Sequence, residues 1–271
     1  MKKLQRIVEA EVIAEFLRNE FYHPDFHYDR EKFERVVLKA DLNDELENAL
    51  RRALLFRRRG HMWRELPPDT EWWLVQVEPQ DLTKIRVFPR AHWRKIANGS
   101  FYLYDIVRRI RRNDLPPSVK EFIAKIQSLS YRLRREIDTS CVLLIGMDEA
   151  RPLTILEGNH RLTAAVLASP ELVQRQFRVL CGFSPSMNQC CWYQTNFNTL
   201  WRYFKNRINN LHNKDAEVSR LLQLQRWTPA AQAVQITAPP ITVKAPVIKA
   251  PIAEKKNAAG EVSPDAILDS N

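Results

Sequence analysis

Glycine is scarce, with six residues in 271, where ordinary usage near 7% would give roughly 19. That scarcity disfavours collagen-like designs, glycine-rich repeats and multi-glycine dinucleotide loops, and it points to a helix-rich chain. Cysteine is also sparse. The four present, Cys141, Cys181, Cys190 and Cys191, include an adjacent pair and no Cys-x-x-Cys spacing, so the expectation is reduced, buried thiols instead of a disulfide framework. No stretch approaches the roughly 18 apolar residues that would span a bilayer, and no membrane partner is expected. Glu9, Glu11 and Glu15 interrupt the N-terminal region where a secretory leader needs an uncharged core, which points to a cytoplasmic protein. Positive charge is abundant: 42 Lys and Arg against 32 Asp and Glu, a formal net charge of +10. Such a field concentrates anions over the surface and suggests a polyanionic partner or an anionic ligand.

The excess charge is unevenly placed. From Thr228 onward aromatics vanish and Lys-Ala-Pro units recur, while Lys244, Lys249, Lys255 and Lys256 balance Glu254, Glu261, Asp265 and Asp269. The tail 228–271 is expected to be a disordered Pro/Ala-rich tether, so the whole excess lies in residues 1–227. Residues 1–68 form a predicted helical region. Leu4, Ile7, Val8, Val12 and Phe16 recur at helical spacing, and a second helix over Asp41–Arg58 carries Leu42, Leu46, Leu50 and Leu54, with Asp41 and Asn43 as candidate caps.

After Pro67 and Pro68 the period changes. Short strands are expected at Trp72–Val77, Ile85–Phe88, Cys141–Gly146, Leu153–Leu156 and Phe177–Cys181. Between them, Ser100 could cap a helix over Phe101–Arg112. Ser118 with Glu121 reads as a capping box for a helix whose apolar face is Val119, Phe122, Ile123, Ile126, Leu129 and Leu133. The expected fold class is α/β (α+β), with a small mixed-sheet core at 69–186, a helical N-terminal region, and C-terminal helices at 187–227 packed on the core. The tryptophans Trp72, Trp73, Trp93, Trp192 and Trp201 are expected to anchor that core.

The informative segment is Leu153-Thr-Ile-Leu-Glu157-Gly158-Asn159-His160-Arg161-Leu-Thr163-Ala-Ala-Val166, a strand, a one-glycine turn and a helix start. A tight turn at Gly158 would let a ligand approach the unpaired amides of the following helix, a ready anion cradle. Arg161 could grip a phosphate bidentately and His160 could donate from a ring nitrogen. Gly158, Asn159, His160, Arg161, Thr163 and Arg90 are therefore the candidate phosphate ligands. Arg86 and Arg94 either converge on the same anion or form a solvated face. Glu157 would repel a phosphate unless it bridges through Mg²⁺ or takes a proton from a substrate hydroxyl, and it is the candidate catalytic base or metal ligand. The bland alternative is an ordinary strand-to-helix turn with a surface arginine.

The Gly-x-x-Arg spacing of Gly158 to Arg161, between a hydrophobic strand and an Ala-rich helix, resembles the ParB/sulfiredoxin-like superfamily. The resemblance extends upstream to Trp73–Arg94 and covers roughly residues 72–183. It implies a small mixed α/β fold that binds a nucleotide (ATP, ADP or CTP, with Mg²⁺) with its phosphates over this turn. The superfamily includes CTP-dependent partitioning factors, ATP-dependent sulfiredoxins and free-serine kinases. Fold is shared among them and chemistry is not. Sulfiredoxins carry their catalytic cysteine where this chain has Asn159, so that activity is not expected. Partitioning factors continue into a helix-turn-helix domain longer than the 40 or so residues between Met187 and Trp227. The acid-Gly-x-x-Arg order is more similar to the kinase branch, although His160 stands one place later than the histidine there.

Two function classes follow. The first is a nucleotide-phosphate-binding protein, either purely binding or acting as a Mg-dependent phosphotransferase or nucleotide hydrolase. The second is a non-catalytic DNA-associated adaptor that uses Arg108, Arg109, Arg111 and Arg112 to contact phosphates. Nothing in the sequence decides the oligomeric state.

Overall fold

Six strands form one mixed sheet at the centre of the computed structural model, which describes residues 1–23, 30–88, 91–212 and 216–227. The expected tail at 228–271 lies outside the described residues. The strands are β1 (Lys2–Ile7), β2 (Glu71–Gln76), β3 (Ile85–Arg86), β4 (Cys141–Gly146), β5 (Leu153–Glu157) and β6 (Arg178–Phe183), in the spatial order β1-β2-β6-β4-β5-β3. β4 runs parallel to β6 and β3 parallel to β5; the other neighbours are antiparallel. The α/β (α+β) fold class read from the sequence is the one observed.

Helices cover both faces. Every residue of β4 is buried, as expected of a continuous apolar strand covered on both sides. Alternation divides its side chains between two cores. Cys141, Leu143 and Ile145 meet α1 (Glu9–Glu20), α2 (Arg30–Leu38) and α3 (Glu45–Trp63), while Val142 and Leu144 face α4 (Ala91–Ala97), α5 (Leu103–Arg112), α6 (Lys120–Leu133), α7 (Asn159–Ala168) and α8 (Leu172–Gln176). The chain ends its described part with α9 (Phe197–His212) and α10 (Ala216–Trp227), the latter placing Val218 and Leu221 in the first of these cores. Residues 1–68 therefore share the sheet and the first of the two cores with the rest, and Met1–Thr228 forms a single compact unit.

Local differences from the sequence reading have identifiable causes. Leu4 and Ile7 belong to a strand, not a helix, because Lys2–Ile7 pairs antiparallel with Gln76–Trp72. As an edge strand it is mostly exposed and carries Lys2, Lys3 and Arg6, charges that discourage edge-to-edge pairing. The second helix starts at Glu45, and its cap is Asp44, whose side chain accepts from the Glu47 amide at 3.0 Å. Leu42 is left outside it, 37% exposed. The capping box expected at Ser118 is not formed. Ser118 lies inside a 3-10 turn over Pro117–Val119, and no side chain caps α6. The apolar face of that helix does pack as read, with Ile123, Ile126 and Leu133 buried. The four cysteines are free and buried, and burial pushes the Cys190 thiol up to about 12.

Several arginines that raise the formal charge are structural. Arg51 is fully buried. It donates to the carbonyls of Val36 (3.0 Å) and Asp41 (2.6 Å) and to the side chains of Glu47 (3.1 Å) and Asn48 (2.6 Å), so the link between α2 and α3 is tied to one guanidinium.

Candidate functional site at the turn between β5 and α7

Glu157 is the last residue of β5, and a bulge sets its direction. Leu144 pairs with Ile155 but Leu143 pairs with Glu157, so Leu156 is an extra residue that re-aims the strand end. The next residue, Gly158, has φ +96° and serves as the N-cap of α7. A side chain there would be strained, and a Cβ would stand 3.0 Å from Cγ2 of Val142. No side chain caps this helix, so its first-turn amides, beginning with Asn159, keep their capacity toward an outside acceptor. Two polar atoms at the same helix start are buried without a partner, Oδ1 of Asn159 and Oγ1 of the fully buried Thr163.

Behind the turn lies a closed polar cluster. The Glu157 carboxylate accepts from Arg161 and, at 3.1 Å, from Nδ2 of Asn19 at the end of α1. Asn19 also donates to the Cys141 carbonyl at 2.7 Å and accepts from Nη1 of Arg161 at 3.1 Å. The neighbouring Glu20 pairs with Arg59 at 2.7 Å. Burial raises the Glu157 carboxyl above its ordinary range and the charge of Glu20 raises it further, while Arg161, the Gly158 amide and Asn19 oppose the shift. Arg161 is thus engaged with Glu157 and is not free at the helix mouth.

His160 points elsewhere. It is exposed, with its ring 4.9 Å from that of Phe122 and 5.5 Å from that of Trp93. His92 stacks on the same Phe122 at 4.9 Å. Desolvation first, then the charges of Arg161, His92 and Lys125, hold the His160 imidazole below its usual value of 6.5. The turn therefore offers two sides to a ligand: amides with the His160 imidazole among aromatic rings on one, and the Glu157–Arg161 pair on the other.

The other arginines read from the sequence do not gather here. Arg90 lies outside the described residues. Arg86, level with Thr154 near the start of β5, donates to the Thr154 hydroxyl at 3.3 Å and the Tyr193 carbonyl at 3.1 Å, in a cleft of about 240 Å³. Arg94 is exposed on α4. On α5, Arg109 donates to the carbonyls of Ile96 (2.7 Å) and Asp114 (3.0 Å), and Arg111 to those of Val166 (3.3 Å) and Leu167 (3.2 Å). Together with Arg134, which reaches the Ala168 carbonyl at 3.2 Å, Arg111 closes the C-terminus of α7. Arg108 and Arg112 are exposed, and Arg108 stands 3.5 Å from Asp105.

A resident magnesium ion does not fit Glu157 as it is placed, because Oε2 already accepts from Arg161 and Asn19 and a cation there would stand against the Arg161 guanidinium. Among the described residues no group of three or more His, Cys, Asp or Glu side chains could hold a metal. Asn19 escaped the sequence reading because it lies 138 residues from Glu157, in a helix that carries no motif. No family model matches this chain, and comparison with curated proteins and with solved structures finds no match.

Proposed function

We propose that this chain binds the phosphates of a nucleotide at the turn between β5 and α7, in the manner of the ParB/sulfiredoxin-like superfamily that its Gly158-x-x-Arg161 segment resembles. The observation that carries the reading is the uncapped start of α7 behind Gly158 at φ +96°, whose first-turn amides no side chain satisfies. A phosphate oxygen would accept from the first-turn amides, stabilised by the positive end of the helix. His160 would donate from the exposed side, and the rings of Trp93 and Phe122 offer an apolar wall beside it. Magnesium would enter with the nucleotide's own phosphates, since Glu157 is committed to Arg161.

That pairing suggests how binding could lead to chemistry. A phosphate competes with Glu157 for the Arg161 guanidinium. Once Arg161 turns to the phosphate, Glu157 loses its main counter-charge, and its half-buried carboxylate becomes a stronger proton acceptor. In a phosphotransfer reaction it would take the proton of an attacking hydroxyl as the nucleoside diphosphate leaves. Two of the four α5 arginines already hold backbone carbonyls, which makes the DNA-adaptor reading the weaker of the two.

Calorimetric titration of the full chain with ATP, ADP and CTP in Mg²⁺ tests the reading. It predicts binding that is weakened by His160→Ala and only modestly sensitive to salt. No binding by any of the three, or duplex DNA binding that falls steeply between low and moderate salt, would reverse the order of the two readings.

A further inference from the structure

α9 packs on the protein through its polar side and turns its apolar side to solvent. Asn196 and Thr199 cap it reciprocally, each side chain accepting from the other's amide at 2.9 Å. Arg202 donates to the Glu65 carbonyl at 3.2 Å, and Asn206 donates to the Glu65 carboxylate at 2.6 Å. The Tyr203 ring stands 5.5 Å from that of Trp192. On the opposite side Phe197 is 83%, Leu200 45%, Trp201 65% and Phe204 54% exposed, with the Trp201 and Phe204 rings near-parallel at 6.2 Å. At about 100° per residue these four fall within an arc of about 100°. Exposed Lys205 and Arg207 border that arc on its two flanks. No acidic residue occurs anywhere in α9.

We propose that this face of α9 seats on an anionic lipid surface, the four apolar side chains entering the boundary between headgroups and acyl chains while Lys205 and Arg207 reach the headgroup phosphates. The expectation of no membrane partner rested on the lack of a spanning segment. No described helix is long and apolar enough to cross a bilayer, but a helix lying in the headgroup plane needs no such length. Charge decides against a second copy as the occupant. Two α9 helices face to face would bring Lys205 and Arg207 of each against those of the other, with no acid on either helix to offset them. Single-stranded nucleic acid would use the rings, but Leu200, inside the same stripe, has no ring face on which a base could stack.

The test is co-sedimentation of the full chain with vesicles, with tryptophan emission read on the same samples. One set is phosphatidylcholine alone and the other phosphatidylcholine and phosphatidylserine in equal parts. The proposal predicts sedimentation and a blue shift with the anionic vesicles, and little of either with the neutral ones. Trp201→Ser removes the partition, and Lys205→Ala with Arg207→Ala weakens it about 30-fold, from about 1 kcal/mol per basic residue near the surface. All these side chains are exposed, so the variants should keep the parent melting temperature. If Trp201→Ser does not, the Lys205 and Arg207 pair carries the test. The proposal is overturned by no partition into the anionic vesicles, by partition indifferent to both variants, by a dimer in light scattering that Trp201→Ser abolishes, or by oligothymidylate displacing the vesicles.

Discussion

Replacing Gly158 with alanine isolates the geometry of the turn. The residue sits at φ +96°, where a Cβ costs about 1–2 kcal/mol. The added carbon would meet Val142 Cγ2 at 3.0 Å and Cγ1 at 3.4 Å, on a fully buried strand with little room to give, for roughly 1 kcal/mol more. Lower entropy of the unfolded chain offsets about 0.5–1 kcal/mol. The net loss is about 2 kcal/mol. In urea that would lower the unfolding midpoint by nearly 1 M for an m-value of about 2–3 kcal/mol/M. Made in a Val142→Ala background, the same substitution should lose the steric part and retain the backbone part, giving a coupling of about 1 kcal/mol in a double-mutant cycle. A Gly158→Ala cost below about 0.5 kcal/mol, or no coupling to Val142, would refute the reasoning.

Three further outcomes are expected. Glu157→Gln keeps acceptor and donor atoms at the cluster but removes a negative charge beside the incoming phosphate and the main competitor for Arg161, so nucleotide affinity should rise about five- to tenfold; calorimetry reads it, and weaker binding would remove the competition. His160 titrates below 6.5 in the free protein, and a bound phosphate favours its charged form, so affinity should rise as pH falls through that window, with proton uptake measurable by calorimetry in two buffers. His160→Ala should flatten that profile. In the same window the unligated fold should lose stability with falling pH, because the unfolded chain protonates this imidazole first. Gln176 accepts from the Asp138 amide at 2.6 Å and donates to the carbonyls of Leu133 at 2.7 Å and Glu136 at 3.0 Å, so Gln176→Ala should cost about 2–3 kcal/mol in thermal or urea unfolding.

The parts of the fold legible in the sequence were those whose signal is local. Cys141–Gly146 is an unbroken apolar run and Leu153–Glu157 leads into a glycine and an Ala-rich helix, so both strands and α7 stood out, and with them the turn. β1 did not, because an exposed edge strand carries charges in place of alternating apolar residues, and its partner lies about 70 residues away. The candidate residues at the turn were visible, but their pairing was not. The bulge at Leu156 and the arrival of Asn19 commit Arg161 to Glu157, and neither follows from spacing. Trp201 shows the converse limit. Tryptophan at helical spacing points to a core, yet α9 is anchored by Glu65 through its polar side, and its apolar side faces out.

The central claim is that the start of α7 is a phosphate site, and amide chemical-shift mapping of the full chain during an ATP titration tests it most directly. The account predicts that the amides of Asn159, His160 and Arg161 and the side-chain amide of Asn19 shift along one saturation curve, as the phosphate seats and Arg161 leaves Glu157. Shifts confined to α5 around Arg108 and Arg112, or none at the turn while nucleotide binds, would contradict it.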